Sequence, residues 1–425
     1  MLMPRITEVE RIVVRVPFRE RVRPWLEVLN GQWGVIEVLR VSTDDPEIVG
    51  WGETLLHYTW RTVSDEAIAK VVGSHPLTHV WDQTIGAGLQ QALMDIAGKA
   101  AGIPGHRLLG LPKVRDACPI SWWTTKAPPE VLAADAVDAL AEGYLSCKFK
   151  GRPYFDVFEQ IEAITAVTPS TYTMSIDWNG MLLTAGEAVP VLREVDKYDQ
   201  VVLYETPIAR SASDLAVVRR RVTKPIVEHF WFSDFDALMR ADAVDGFVVV
   251  GPNPIQQALA GAAFNKPSFL QIVGTGITTA YALQFGAVLE SARWPAVTAM
   301  NIYQDDLIVD PIPISGGFAR VSDAPGLGIK VDEDALARFR IEPPYEVAYP
   351  RTILSFHLSG NRTRHYANIY QLLEECGANV PGSRVSVGSV PVQERGARLE
   401  VLADDHSAEF AKLHGRASVS PVWDV

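Results

Sequence analysis

Residues 145–232 hold four short apolar runs: LSCKFKG at 145–151, YTMSIDWNG at 172–180, QVVLYETPI at 200–208 and KPIVEHFWF at 224–232. Each has the length of a strand and is rich in β-branched and aromatic residues. Between them lie PYFDVFEQIEAITAVTP (153–169), TAGEAVPVLREVDKY (184–198) and SASDLAVVRRRV (211–222), whose apolar residues recur at helical spacing. Working outward, the alternation begins at CPISWW (118–123) and PPEVLAADAVDALAEG (128–143). It continues through DFDALMRADA (234–243), DGFVVVGP (245–252), NPIQQALAGAAFNK (253–266), PSFLQIVG (267–274) and TAYALQFGAVLESA (279–292) to VTAMNIY (297–303). Eight strands joined by seven helices predict an α/β fold over 118–305, a parallel sheet closed into a (β/α)7β barrel of the TIM type. An open doubly wound sheet would place a glycine-rich turn after its first strand, where this chain has Trp122, Trp123 and Thr124.

The flanks read differently. In residues 1–117, ITEVERIVVRVPF (6–18) and WGVIEVLRVST (33–43) alternate as strands around a loop containing Pro24, Trp25, Asn30 and Trp33. QTIGAGLQQALMDIAGKAAG (83–102) reads as a helix stopped by glycine, so an α+β domain precedes the barrel. Residues 306–342 are Pro/Gly-rich and return the chain toward that first domain. Residues 343–425 form a C-terminal extension with a helix predicted over NRTRHYANIYQLLEECG (361–377), strands at RVSVGSVPV (384–392) and RLEVLA (398–403), and a short helix near HSAEFAKLHG (406–415). This patterning is too regular for a disordered tail.

Composition narrows the partners. The 425 residues are 48% hydrophobic and 21% charged, with a net charge of −12. No basic cluster is longer than Arg219–Arg221, so nucleic acid and anionic membrane are poorly matched and a small molecule is the expected partner. The three cysteines, Cys118, Cys147 and Cys376, form no CxxC pair, which points to a reducing cytoplasm. Residues 1–17 lack a signal-peptide pattern, and no apolar run approaches the roughly 18 residues of a membrane span. A homo-oligomer is expected.

In such a barrel the C-terminal ends of the strands converge on one mouth. The polar residues there are Lys148 and Lys150, then Asp177 and Asn179, then Glu205, then Glu228 and His229. Three carboxylates on successive strands would repel one another unless a cation sat among them, and oxygen-only ligands favour Mg²⁺ before Mn²⁺. Lys148 and Lys150 share one strand face. Alone, a Lys-x-Lys is more often a solvated strand edge. In a closed barrel beside a divalent ion, one lysine could instead supply a free amine that removes a proton next to a carboxylate.

The stretches CKFKG, SIDWNG, LYETPI, PIVEHF and SDAPGLGIKVD (322–332) together resemble the enolase superfamily, in its mandelate racemase and muconate lactonizing enzyme branch. The resemblance spans roughly residues 5–340 and implies that the first domain caps the barrel. It implies Asp177, Glu205 and Glu228 as Mg²⁺ ligands, Lys150 as general base, Lys148 as its partner toward the substrate carboxylate, and Asn179 as a polar neighbour of the first ligand. Trp25, Trp33, His57 and Tyr58 fall in cap loops that select substrate in the family, although solvent-shielding aromatics would read the same. Asn301 or Tyr303 stands where the racemase branch has a glutamate. His229 is an exposed residue, a core histidine or an acid catalyst.

The departures concern the second face. The sixth strand ends at Val250 and Gly251 where the lactonizing branch has a lysine. The seventh ends at Gly274, Thr275 and Gly276 where the racemase branch has a histidine. This GTG either binds an anion through helix amides or simply closes a loop. With one base, the expected activity is a lyase reaction through an enediolate, the dehydration of an acid sugar or related hydroxy acid. One-base epimerisation, cycloisomerisation, or a non-catalytic binder of metal and carboxylate are the alternatives.

Overall fold

The computed structural model describes residues 3–58, 62–209, 211–251, 253–347, 349–377 and 390–424. The first domain is a three-stranded antiparallel meander, Ile6–Arg15, Val35–Thr43 and Val49–Leu55, crossed by the helix Ala87–Ala101. Two glycines set how close that helix lies. A Cβ at Gly52 would sit 2.0 Å from the Gly88 carbonyl oxygen, and one at Gly50 would sit 2.4 Å from that of Ala92. The helix ends at Gly102 in the left-handed conformation, φ 67°, as the glycine stop predicts. The expected loop around Pro24 contains a helix, Arg23–Leu29, with Pro24 in its first turn. Its Val28 and Leu29 are buried against the C-terminal extension, so the stabilising contacts lie outside any local window.

The barrel contains seven parallel strands paired in sequence order: Trp122–Trp123, Ser146–Lys150, Thr173–Asp177, Val201–Glu205, Ile226–His229, Gly246–Val250 and Ser268–Gln271. All seven expected helices stand between or after them, from Pro129–Ala141 to Gly276–Gly286. The eighth strand, expected over VTAMNIY, is reduced to two bridges, Ala296 with Ile120 and Val297 with Gln271. These close the barrel through Ser121 N–H to Ala296 O and Val297 N–H to Leu270 O, both 2.8 Å. Ala299 turns left-handed (φ 59°) and a 3₁₀ turn, Met300–Ile302, follows, so pairing stops there.

Beyond the barrel, Phe318–Arg320 pairs with Ala117–Pro119. Gly326 then abuts the first-domain helix, where a Cβ on Gly98 would meet its Cα at 2.6 Å. The extension is a four-stranded antiparallel sheet in the order Arg398–Ala403, Thr352–Leu358, Arg362–Tyr366, Val422–Asp424, with helices Ile369–Glu375 and Ala408–Val419. The single helix expected over 361–377 is therefore a strand followed by a helix. Arg-Thr-Arg-His-Tyr alternates, and Asn368 starts the helix by accepting the Gln371 N–H at 3.1 Å. Of the strand expected at 384–392, residues 384–389 lie outside the described residues, and RLEVLA is a strand as expected.

The extension has its own apolar core, which it shares with the mouth of the barrel. Leu354, Phe356, Tyr366, Leu372 and Leu399 pack with Tyr154 and Phe155 after the second strand, Met181 after the third, and Val28 and Leu29 of the cap. Among the described residues, no helix is long and apolar enough to cross a membrane.

Candidate active site

Strand alternation sorts the second barrel strand. Ser146, Lys148 and Lys150 share the inner face, whereas Cys147 and Phe149 face the helices. Burial pushes the Cys147 thiol up to about 12, which removes it as a nucleophile. The next two strands are in register with this one, so Lys150 pairs with Asp177 and Asp177 with Glu205 across the sheet. Glu205 pairs with Val227, which sets Glu228 one residue farther along. All three acids are essentially inaccessible to solvent.

The lysines neutralise these acids. The Lys150 ammonium is bonded to Asp177 Oδ2 and lies 3.2 Å from Asn179 Oδ1. Lys148 Nζ is ion-paired with Glu205, lies 3.3 Å from Asp177 Oδ2, and donates across the barrel to Gln271 Oε1. Burial alone would raise the Asp177 pKa, but Lys150, Lys148 and Arg152 together hold it well below the usual carboxylate range. Burial also lowers the Lys150 pKa from that of an ordinary lysine, with Asp177 opposing the shift. Asn179, in the left-handed region at φ 47°, donates its N–H to Asp177 Oδ1 at 2.9 Å and accepts from Arg152 at 2.5 Å. Thr206 donates to Glu228 Oε2 at 3.2 Å, and His229 Nε2 lies 3.2 Å from Glu205 Oε1. Gly151 is needed here because a Cβ would meet the Trp178 ring at 2.5 Å.

The opposite half of the mouth opens into a cavity of ≈ 260 Å³ between cap and barrel. His229, Val250, Gln271, Ile272 and Tyr58 help to line it. Of the residues expected to touch substrate, Asn179, His229 and Tyr58 thus lie at the lysine–acid cluster or the cavity. The others are engaged elsewhere. Asn301 brackets the Trp123 backbone with bonds of 3.1 and 2.8 Å, and the Tyr303 hydroxyl donates to Trp33 O at 2.9 Å. His57 lies 2.6 Å from Tyr345 O, and Trp25 packs edge-on against Phe155.

The GTG segment does receive an anion, and that anion belongs to the chain. Glu53 of the cap accepts from Thr275 N–H (2.6 Å), the Thr275 hydroxyl (2.7 Å) and Thr278 N–H (2.9 Å). Both open alternatives for this segment thereby merge into a joint between cap and barrel. Sequence reading missed Glu53, Gln271, Arg152 and Lys126. Gln271 carried a signal, as the polar last residue of an apolar strand. Glu53 carried none, since its partners lie in another domain.

The donor set suits a hard divalent cation: three buried carboxylates and no sulfur. As the side chains stand, the lysine ammoniums lie among those oxygens, and among the described residues no three His, Cys, Asp or Glu groups surround a common point.

Fold and site thus define a parallel α/β barrel with a lysine pair facing acids on three successive strands. The Enolase C-terminal domain-like family model matches residues 131–335. D-galactonate dehydratase of Xanthomonas oryzae pv. oryzae (strain PXO99A) is 25% identical over 352 residues, covering 72% of this chain and 91% of the relative. The structure of 2-chloromuconate cycloisomerase from Rhodococcus opacus 1CP superposes with a TM-score of 0.67 at 20% identity, covering 80% of this chain and 100% of that one. An enolase from Thermobispora bispora DSM 43833, complexed with magnesium and formate, gives 0.65 at 22%, covering 80% and 92%. Residues 131–335 are thus similar to the enolase C-terminal domain-like family, and the chain shares its fold with solved mandelate racemase and muconate lactonizing family proteins. Its relatives are enzymes of differing reaction type.

Proposed function

We propose that this chain is a Mg²⁺-dependent lyase that removes the α-proton of a hydroxy-carboxylate and expels the β-hydroxyl, dehydrating an acid sugar. The observation that carries this proposal is the one-sided placement of bases. Lys148 and Lys150 face three acids, whereas Val250, Gly251 and Gly274, at the ends of the sixth and seventh strands, carry no base. Similarity to a D-galactonate dehydratase supports the choice of reaction.

Asp177, Glu205 and Glu228 would hold the ion, which when bound anchors the substrate carboxylate and stabilises the charge that grows as the α-proton leaves. Lys150 takes that proton, and burial favours the free amine this requires. The ammonium so formed is held between Asp177 and Asn179 and can protonate a hydroxyl leaving from the same side, giving syn elimination. Lys148 pairs with the substrate carboxylate. His229, at the cavity wall, is the alternative proton donor from another direction, whereas the Tyr303 hydroxyl is committed to Trp33.

The test is a panel of six-carbon acid sugars with Mg²⁺, read as release of a keto acid, and run again in D₂O. Dehydration is expected, with any α-deuterium incorporated with retention. Recovery of the inverted α-epimer would contradict the one-base scheme. A second reading, cycloisomerisation, draws support from the apolar cavity wall of Val250, Ile272 and Val273, and it would release no keto acid.

A further inference from the structure

The third barrel strand runs into a turn, residues 177–180, in which Asn179 is left-handed and its carboxamide oxygen stands 3.2 Å from Lys150 Nζ. Arg152, on the loop after the second strand, holds this turn at two points. Its guanidinium donates to Asp177 O at 3.1 Å and to Asn179 Oδ1 at 2.5 Å, with a further bond to Gly151 O at 2.8 Å. Arginine stays charged in any surroundings, and this one is only 3% exposed. Its three acceptors are all neutral. Burying a cation against neutral acceptors is costly, so its place is explained by geometry: the flat fork of a guanidinium spans both ends of the turn as an ammonium could not.

The loop that carries Arg152 is held in turn by residues 393–397 of the extension. Gln393 brackets it, donating from Nε2 to Arg152 O at 2.9 Å and accepting at Oε1 from Val157 N–H at 3.3 Å. Asp156 of the same loop is bonded to Gly396 and Ala397 and lies 3.2 Å from Arg395 Nε. The shared apolar core and Asp156 already dock the extension. The bond to Arg152 O adds something else, a direct line from the extension through the guanidinium to Asn179.

We infer that Arg152 and Gln393 are positioning residues: Gln393 fixes the Arg152 backbone, and Arg152 fixes the Asn179 carboxamide against which Lys150 works. The extension thereby serves the reaction as well as covering the mouth. This inference rests on Lys150 being the base, as proposed above, and deepens that reading by making it depend on a segment outside both cap and barrel.

The first test is amide hydrogen exchange over residues 177–180 in the full chain without substrate, which reads the turn independently of any reaction. Arg152→Lys keeps a cation but loses the fork, and Gln393→Leu loses both hydrogen bonds of the bracket. Each should speed that exchange by about 10-fold. Arg395→Ala removes the ion pair at the exposed edge and leaves Gln393 in place, so exchange should stay at the native rate. The second test is dehydration of six-carbon acid sugars with Mg²⁺. Arg152→Lys and Gln393→Leu should lower kcat by about 10-fold or more with KM unchanged, whereas Arg395→Ala should move neither. Should Arg152→Lys fail to fold, Gln393→Leu, at a half-buried position, decides the case. Exchange that is the same in all the proteins, or that responds equally to Arg395→Ala, would overturn the line from extension to turn. Faster exchange with native kcat would reduce both residues to a structural role and overturn the inference. A native chain that dehydrates none of the sugars, with exchange divided as expected, would instead overturn the proposed reaction and leave the line to Asn179 standing.

Discussion

The second to fifth strands and the sixth to eighth strands end at the same mouth, yet they present opposite chemistry. The first group ends in Lys148, Lys150, Asp177, Glu205, Glu228 and His229, packed into a buried network of alternating charge. The second group ends in Val250, Gly251, Gln271 and Gly274, beside a cavity and a loop already occupied by Glu53. A barrel can bring residues from any strand to one point. The asymmetry therefore reflects what each strand end carries, and on the function proposed above it would confine proton transfer to one side of a bound substrate.

The largest expected effect is on the charged half. Lys150→Met should slow exchange of the substrate α-hydrogen with D₂O by about 10³-fold while leaving Mg²⁺ affinity nearly intact. Unchanged exchange would move the base to Lys148. The pH profile sharpens the same assignment. Abstraction needs the free amine, so the exchange rate should rise with pH and level off below the ordinary lysine value of 10.5, because burial lowers the Lys150 pKa. A rate that falls across this range would point to an acid-form catalyst.

Removing a charge from this network should cost stability. Glu205→Gln leaves the buried Lys148 ammonium short of a partner and should destabilise the protein by about 3 kcal/mol, measured by urea unfolding. On the other half, Gly274→Ala drives a Cβ to 2.5 Å from both Glu53 Oε1 and Thr278 Oγ1. A loss of about 1–3 kcal/mol is expected, seen as loosening of the cap by hydrogen exchange around residues 49–55. The smallest effect belongs to Val250→Ala, which should change α-hydrogen exchange by less than about threefold. A collapse of exchange in that variant would erase the distinction between the two halves.

Legibility in the sequence followed the range of the interactions. Lys148 and Lys150 share a face by strand alternation, Asp177 and Glu205 close their strands and Glu228 stands one residue before the end of its own, so local pattern alone assembled the charged half. The helix Arg23–Leu29 was hidden because Val28 and Leu29 are buried by residues beyond 350. The eighth strand looked longer than it is because β-propensity in VTAMNIY does not reveal that Ala299 turns left-handed. Asn301 and Tyr303 looked like substrate contacts because position places them at the mouth, but their hydrogen bonds go to Trp123 and Trp33. Lys126 could not be singled out, because its hydrogen-bond acceptor, Asn30, is far away in the chain.

The core shared by the cap helix, the loop after the second strand and the extension also bears on how the protein is made. Val28 and Leu29 leave the ribosome long before Leu399, which helps to bury them. Asp156 waits equally long for its partners: its N–H donates to Ala397 O at 2.9 Å, and its Oδ2 accepts from Gly396 N–H at 2.8 Å. The barrel strands can pair as they emerge, but the wall over the mouth can be finished only once residues 396–399 have emerged. A nascent chain halted before residue 396 thus carries Lys148, Lys150 and all three acids, yet lacks the residues that complete the wall above them.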